Sequence, residues 1–344
     1  MVLLVVGLAG LLTIACRPTT QPPEAVPGNA LPGNFPTPWY ALNQNPPNQA
    51  AFELGKQLFY EVKLSRDGSV SCGSCHRQEA AFAQANQSFS RGVNNRLGVR
   101  NAPALQNLRW RHSLLWDGGV SNLEMLPLAP LTNPVEMDES LDNVLVKLNA
   151  DATYSQRFAA VYGAGPITSQ QFLRALAQFT ASLTSANSRY DHYVHGERGG
   201  TLSIQEVRGL QLFRKSCAGC HATDLFTDES FRNNGLDASF ASDSGRAHIT
   251  DTPRDRGKFK VPSLRNVAHT APYMHDGRFA TLGQVLAHYD HGVVASATLD
   301  PQLRQADGRL GIPLTAKQQK DLEAFLRTLT DTSFLSDPRL AKPQ

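Results

Sequence analysis

Apolar residues along the chain recur mainly with the spacing of helices. Residues 169–186 and 316–329 each place four large apolar side chains on one helical stripe. These side chains are Phe172, Leu176, Phe179 and Leu183 in the first segment, and Leu322, Phe325, Leu326 and Leu329 in the second. No long alternating pattern of the kind found in strands is present, so the sequence predicts a mainly α-helical protein.

A short internal repeat indicates two similar domains. Residues 55–59 read Gly-Lys-Gln-Leu-Phe and residues 209–213 read Gly-Leu-Gln-Leu-Phe, each within an amphipathic helix. The second helix has a start signal in Ser203 and Glu206, which are spaced as a capping box. We predict an N-terminal domain over 49–198 and a C-terminal domain over 199–335, joined by the polar stretch 195–201.

Glycine, proline and asparagine cluster between the predicted helices, as over 91–103 and 233–262. Such clusters predict long loops. Long loops in a folded domain usually organise around a functional site or a bound group.

The N-terminal residues predict export. Residues 2–15 are almost all apolar, which fits the central part of a secretory signal but is short for a membrane span. Cys16 then suits a lipoprotein cleavage box; an ordinary signal with an incidental cysteine is the alternative. Residues 1–16 are therefore interpreted as a signal or lipoprotein segment, and 17–48 as a flexible tether. This predicts a periplasmic protein held to a membrane only by a lipid.

The composition supports a folded protein and excludes some partners. The chain has 344 residues, of which 41% are hydrophobic and 18% charged, enough for two packed domains. The formal net charge is only +3 and no lysine- or arginine-rich block occurs, so nucleic acid binding is not expected.

Four of the five cysteines form two Cys-x-x-Cys-His strings. The first haem string is Cys72, Cys75 and His76; the second haem string is Cys217, Cys220 and His221. In a c-type haem two cysteines hold the porphyrin edge and the following histidine ligates the iron. A zinc site would need four ligands at short spacing, and a thioredoxin-like pair would need a βαβ context. The sequence therefore predicts two covalently attached haem c groups.

The function depends on the sixth position of each iron, because an open position allows peroxide to bind whereas a filled one favours electron transfer. Near the first haem the candidate ligands are few: His112, His192 and His195. Near the second haem the candidates are more numerous: Met274, His275, His288, Tyr289 and His291. Spacing alone does not choose among them.

Several longer motifs carry a family resemblance over about residues 48–335. They are Arg100-Asn101-Ala102-Pro103, Leu115-Trp116-Asp117-Gly118, Asn133-Pro134-Val135-Glu136-Met137, Val261-Pro262-Ser263-Leu264-Arg265-Asn266, Thr270-Ala271-Pro272-Tyr273-Met274-His275-Asp276-Gly277 and His288-Tyr289. With these motifs the chain resembles the bacterial dihaem cytochrome c peroxidases, especially their MauG-type branch. The resemblance implies two cytochrome c-like haem domains and an oxidoreductase that reduces hydrogen peroxide through high-valent haem.

The resemblance also implies roles around the first haem, which would react with peroxide. Glu136 matches the distal acid/base, Pro130 matches a proline of the same pocket, and Trp116 matches a tryptophan between the haems. Leu126 stands where the MauG branch has a glutamine. No histidine occurs within 77–111, where many relatives carry one that blocks the iron, so we expect this iron to be five-coordinate.

Around the second haem, Tyr289 matches the axial tyrosine of MauG, with Met274 as the alternative ligand. The resemblance further implies a calcium ion between the haems, bound by Asn101, Thr270 and Pro272.

The partner of the peroxide reaction is left open between two classes. One is a small electron-donor protein, such as a cytochrome or cupredoxin; the other is a side chain of a specific secreted protein, which the missing histidine and Tyr289 favour. Lys215 replaces a surface tryptophan of MauG, which argues against methylamine dehydrogenase as the substrate. A non-catalytic dihaem electron carrier is the competing hypothesis.

Overall fold

A computed structural model describes residues 26–344. Over that range there are twelve α-helices, α1 to α12: Gln49–Phe59, Cys72–Cys75, Leu128–Thr132, Leu141–Asn149, Ala152–Tyr162, Ser169–Ser182, Arg189–His195, Ile204–Ser216, Ala247–Thr250, Leu282–Ala287, Ala316–Arg327 and Thr332–Leu335. A π-helical turn, His288–Gly292, continues α10. Short 3₁₀ helices span Val62–Leu64, Gln78–Ala80, Val93–Asn95, Leu108–Trp110, Leu123–Met125, Pro253–Asp255, Val267–His269 and Pro301–Leu303. Strands β1 (Phe231–Arg232) and β2 (Phe259–Lys260) form the one antiparallel sheet in the described chain. The predicted mainly helical fold with long loops is confirmed.

The predicted helices each begin at a capping residue, of which Ser203 was predicted from the sequence. Thr168 caps α6, Ser203 caps α8 and Thr315 caps α11, each in a reciprocal capping box with the side chain three residues later. Helix α6 ends at Ser182, four residues before the predicted end, and α11 ends two residues early. The apolar stripe continues past both helix ends, since Leu183 and Leu329 are fully buried in the chain that follows.

Two hydrophobic cores form around two similar helix pairs, α1 on α6 and α8 on α11. The glycines of the repeat lie at these crossings. A Cβ on Gly55 would lie 1.9 Å from the carbonyl oxygen of Ala175, and one on Gly209 would lie 2.0 Å from that of Asp321. The repeat therefore encodes a close helix crossing beside each haem string.

The division at 198/199 stays a prediction. Tyr190, which precedes it, packs in the second core, whereas Phe334 near the C-terminus packs in the first. The C-terminal segment thus returns to the N-terminal half of the molecule.

Residues 26–48 differ from the flexible tether predicted over 17–48, because their few apolar side chains pack against the protein. The Phe35 ring lies 5.1 Å from that of Trp110, and the Arg265 guanidinium lies 4.4 Å over the same ring. Trp110 Nε1 donates to the carbonyl oxygen of Pro36 at 2.7 Å. This segment therefore contacts residues of both halves of the molecule.

The predicted segment 1–16, with Cys16, lies outside the described residues. From residue 26 onward, no helix combines the length and the apolar character needed to cross a membrane.

Candidate functional site

The first haem string begins on the short helix α2 and ends at its C-cap, His76. The backbone N–H of His76 bonds to the carbonyl oxygen of Cys72 at 2.9 Å, and its ring Nδ1 lies 2.7 Å from the carbonyl oxygen of Phe82. A carbonyl can only accept, so Nδ1 carries the proton and Nε2 keeps its lone pair. The ring is thereby oriented as a metal ligand through Nε2.

The second haem string repeats this arrangement at the end of α8. His221 N–H bonds to the Cys217 carbonyl oxygen at 2.9 Å, and His221 Nδ1 lies 3.1 Å from the carbonyl oxygen of Phe226. Burial lowers the pKa of both His76 and His221, which keeps the imidazoles neutral and able to bind iron.

The cysteines of both strings have the chemistry that haem attachment needs. None of Cys72, Cys75, Cys217 and Cys220 forms a disulfide. Burial raises the pKa of Cys72 and of Cys217 to about 12, so both are thiols in the absence of a bound group. In residues 26–344 no cluster of three or more histidine, cysteine or acidic side chains is arranged to hold a metal ion. The strings therefore fit haem c better than zinc.

A cavity of about 1010 Å³ opens beside the first haem string. Its wall includes Cys72, Cys75 and His76, and it also includes three residues implicated by sequence: Leu126, Pro130 and Glu136. None of the three candidate histidines lines it; His112 is exposed and its ring lies 4.4 Å from Trp39. The part of the cavity wall that the sequence implicated thus combines a carboxyl group, Glu136, with the apolar Leu126 and Pro130.

The Glu136 carboxyl faces the two cysteines. Its charge contributes to raising the pKa of both Cys72 and Cys75. Asn133 Nδ2 donates to Glu136 Oε1 at 2.7 Å. Burial raises the pKa of Glu136, and the bond from Asn133 offsets only part of that rise. The carboxyl is thus held at the cavity wall with an increased affinity for a proton.

The loop that in many relatives holds a blocking histidine is tied to the backbone of Glu136. Val93 is fully buried, and its N–H donates to the carbonyl oxygen of Glu136 at 2.8 Å. A Cβ on Gly92 would lie 2.3 Å from the carbonyl oxygens of Val135 and Glu136, so only glycine permits this approach. Sequence analysis did not identify Gly92 or Asn133 as supports of Glu136, although Asn133 lies within the quoted motif.

Two of the candidate ligands for the second iron meet at Asn234. Its Nδ2 lies 3.4 Å from Met274 Sδ, and its side chain also bonds to the Tyr289 hydroxyl. Burial raises the pKa of Tyr289 to about 12; the Asn234 bond opposes this rise, and Cys217 and Cys220 add to it, so the phenol lies near the second haem string. Tyr289 and Met274 therefore both remain candidates.

The other candidates near the second iron have different surroundings. The His275 ring stacks on Phe259 at 3.7 Å and lines the first cavity. His288 Nε2 lies 3.0 Å from the Asn234 carbonyl oxygen, and His291 is exposed beside Asp290.

Trp116 connects the halves of the molecule at the cavity wall. Its Nε1 donates to the carbonyl oxygen of Asn101 at 2.8 Å, and its own carbonyl oxygen accepts from Lys260 N–H in β2. Asn101 N–H in turn donates to the carbonyl oxygen of His275 at 2.7 Å. Asn101 is thereby held against the segment that contains Thr270 and Pro272, while Thr270 itself bonds to Val267.

Comparison with known proteins places these features in a family. Residues 49–199 match the family model described as di-haem cytochrome c peroxidase. The methylamine utilization protein MauG of Methylorubrum extorquens is 33% identical, covering 83% of this chain and 79% of that protein. The cytochrome c551 peroxidase of Nitrosomonas europaea is 33% identical over 70% of this chain and 73% of that protein.

A solved structure supports the same family assignment. A MauG-like protein associated with microbial copper homeostasis superposes with a TM-score of 0.82 at 35% identity, covering 91% of this chain and 98% of that one. Because these matches extend over most of both chains rather than over a haem motif alone, the chain belongs to the di-haem cytochrome c peroxidase family of oxidoreductases, with two haem c groups.

Proposed function

We propose that this protein reduces hydrogen peroxide at the haem attached through Cys72 and Cys75, and that Glu136 is the acid/base. One observation carries the proposal: a half-buried carboxyl with a raised pKa faces both cysteines across a cavity that no histidine from 77–111 can block. When bound, the haem supplies an iron that binds peroxide and passes on the electrons that cleave its O–O bond.

Glu136 would move the protons of this reaction. Its carboxylate would take a proton from one oxygen of peroxide and deliver it to the other oxygen, which leaves as water. Asn133 fixes the orientation of the carboxyl, and the apolar Leu126 and Pro130 keep bulk water from competing for the proton. Two electrons and two protons in total convert one peroxide into two water molecules, so the partner loses two electrons.

The test uses the purified dihaem protein mixed anaerobically with hydrogen peroxide. We expect a complete, long-lived change of the haem absorption spectrum at one peroxide per protein, and a high-spin signal from the first haem before peroxide is added. A non-catalytic electron carrier would instead give only low-spin signals and slow bleaching. That pattern would overturn the proposal.

We infer that the oxidised partner is a side chain of a specific secreted protein rather than a small electron donor. The buried Val93, in place of a blocking histidine, supports a haem that needs no reductive activation by a donor protein. A relative of known structure is associated with copper homeostasis and two others are named for methylamine utilization, so related proteins differ in their setting. A cytochrome or cupredoxin donor would instead give sustained peroxide turnover when added in reduced form.

The protein's place in the cell is also proposed. The apolar residues 2–15 and Cys16 support export to the periplasm with a lipid anchor at Cys16.

A calcium ion at Asn101, Thr270 and Pro272 is supported by the contact of Asn101 with the segment after Pro272, because carbonyl and amide oxygens suit calcium.

Tyr289→Phe tests the ligand that we propose for the second iron. Because the phenolate oxygen is a hard anionic donor, its removal is expected to change the spectrum and raise the reduction potential of the second haem only. Met274→Leu is the matched control, since its side chain contacts the same Asn234, and it should leave both properties unchanged. The opposite result for the two variants would assign the ligand to Met274.

A further inference from the structure

Three charged side chains lie buried together at the junction of the two halves: Arg111, Glu229 and Lys260, here called the junction cluster. Arg111 Nη1 and Glu229 Oε1 are hydrogen-bonded, and Lys260 Nζ donates to Glu229 Oε2 at 3.0 Å. Lys260 Nζ also donates to the carbonyl oxygen of Ser113 at 2.8 Å. The three side chains are between 6 and 11% exposed, so water solvates them little.

The junction cluster has two cations and one anion. Glu229 is the acidic group that faces Lys260, and Arg111 faces it as a second cation. On the same cavity wall Asp117 and Asp243 both bind Arg100 instead of Arg111 or Lys260. Because a buried cation without a matching anion is costly, a second anion at the junction cluster would stabilise the protonated form of Lys260.

The cavity beside the first haem string would give such an anion access to the junction cluster. Arg111 and Lys260 both line the 1010 Å³ cavity that Cys72 and Cys75 also line. A haem held by these cysteines would carry two propionate carboxylates, which are ionised at neutral pH, beside this cavity wall. We propose that Arg111 and Lys260 form a binding site for a carboxylate of this haem.

Such a site would have two consequences. It would join the halves of the molecule through the cofactor, since Arg111 precedes Trp116 in the chain whereas Lys260 belongs to β2. It would also place positive charge near the first iron, which favours the reduced state. Burial and the charge of Arg111 lower the pKa of Lys260 to about 7 although Glu229 opposes them, and a haem carboxylate would oppose that shift further. The inference needs only the haem and is independent of peroxide chemistry.

The experiment is a potentiometric titration of the holoprotein, with resonance Raman spectra of the propionate bending bands. Lys260→Met is expected to shift the reduction equilibrium of the first haem at least tenfold, which lowers its reduction potential by about 59 mV. The same variant should also shift the Raman bands of the propionates. Lys260→Arg should restore both. Lys258→Met is the matched control, because Lys258 pairs with Asp255 and does not line the cavity.

Glu229→Gln provides a test of opposite sign that does not remove a cation. It should raise the same potential, because two cations then face the haem carboxylate. An unchanged potential and unchanged Raman bands in Lys260→Met would overturn the proposal. So would a wild-type potential that depends on phosphate concentration at constant ionic strength, since a dissolved anion would then occupy the site.

Discussion

Glu136→Gln is expected to lower the second-order rate constant for the reaction with hydrogen peroxide by about 10²- to 10⁴-fold. The amide keeps the size of the side chain and can still bond to Asn133, but it cannot accept the proton that peroxide must lose. Both haems should remain attached, since Glu136 holds neither string. Stopped-flow absorption of the first haem measures the rate constant, and the haem content per protein checks the fold.

The pH dependence of the same reaction provides a second readout. The reactive form of Glu136 is the carboxylate, so the rate falls as the pH drops through the pKa of this group. Burial raises that pKa, so the acid limb should lie above the ordinary glutamate value of about 4.3. The variant should lack this limb.

Glu79→Gln is the matched control. Glu79 lies three residues from His76 but is exposed and paired with Arg77, so its loss should leave the rate and the acid limb unchanged. A loss of less than about tenfold in Glu136→Gln would contradict the assigned role, because proton transfer by a positioned group contributes more than that.

The parts of the fold that the sequence predicts are those with local signals. Helices α6, α8 and α11 begin at their capping boxes because the cap, its partner and the first turn lie within four residues of one another. The haem strings are equally local. Contacts between residues far apart in the chain have no local sequence signal and could not be predicted. Gly92 must be glycine because Glu136, more than forty positions later, approaches its backbone.

A longer internal repeat could have been found in the sequence but was missed. From Pro103 and Pro262 onward the two halves match at constant spacing, with Leu115 opposite Met274. Both Leu115 and Met274 have positive φ angles, 67° and 75°, and each is followed shortly by an Asp-Gly pair.

Continued at the same spacing, the repeat pairs Pro130 with Tyr289. The halves therefore present an apolar ring and a phenol at corresponding positions. That difference fits a pocket left open at the first haem and a candidate ligand at the second.

The tether prediction shows where average composition misleads. Residues 26–48 are mostly polar and proline-rich, which is typical of a linker. A few aromatic side chains suffice to dock them, because the Phe35 ring contacts both a buried guanidinium and the indole of Trp110. That guanidinium belongs to Arg265, which also pairs with Asp191.

Asp191→Ala is expected to lower the free energy of unfolding by about 3–5 kcal/mol, because it leaves a buried guanidinium without its anion. Arg265 is fully buried, and its Nη1 and Nη2 donate to the two oxygens of Asp191 at 2.8 and 2.7 Å. Its Nε donates to the carbonyl oxygen of Asp224 at 2.7 Å. Urea unfolding of the holoprotein, followed by far-ultraviolet circular dichroism, measures the change.

The double variant Asp191→Leu/Arg265→Met should recover much of that loss, because it removes both charges together. Asp307→Ala is the surface control, since its pair with Arg309 is exposed and should contribute nothing measurable.

The pH dependence of the free energy of unfolding provides an independent check of this ion pair. Burial raises the pKa of Asp191, but the bonds and charge of Arg265, together with the bonds from Ser188, outweigh it and lower the pKa to about 2. A carboxyl with a depressed folded-state pKa stabilises the fold above its unfolded pKa of about 3.9 and loses that contribution as the pH falls toward 2. The difference in the free energy of unfolding between wild type and Asp191→Ala should therefore be constant above about pH 5 and shrink below pH 4. A difference that does not change with pH would show that the Asp191–Arg265 pair does not provide this stabilisation.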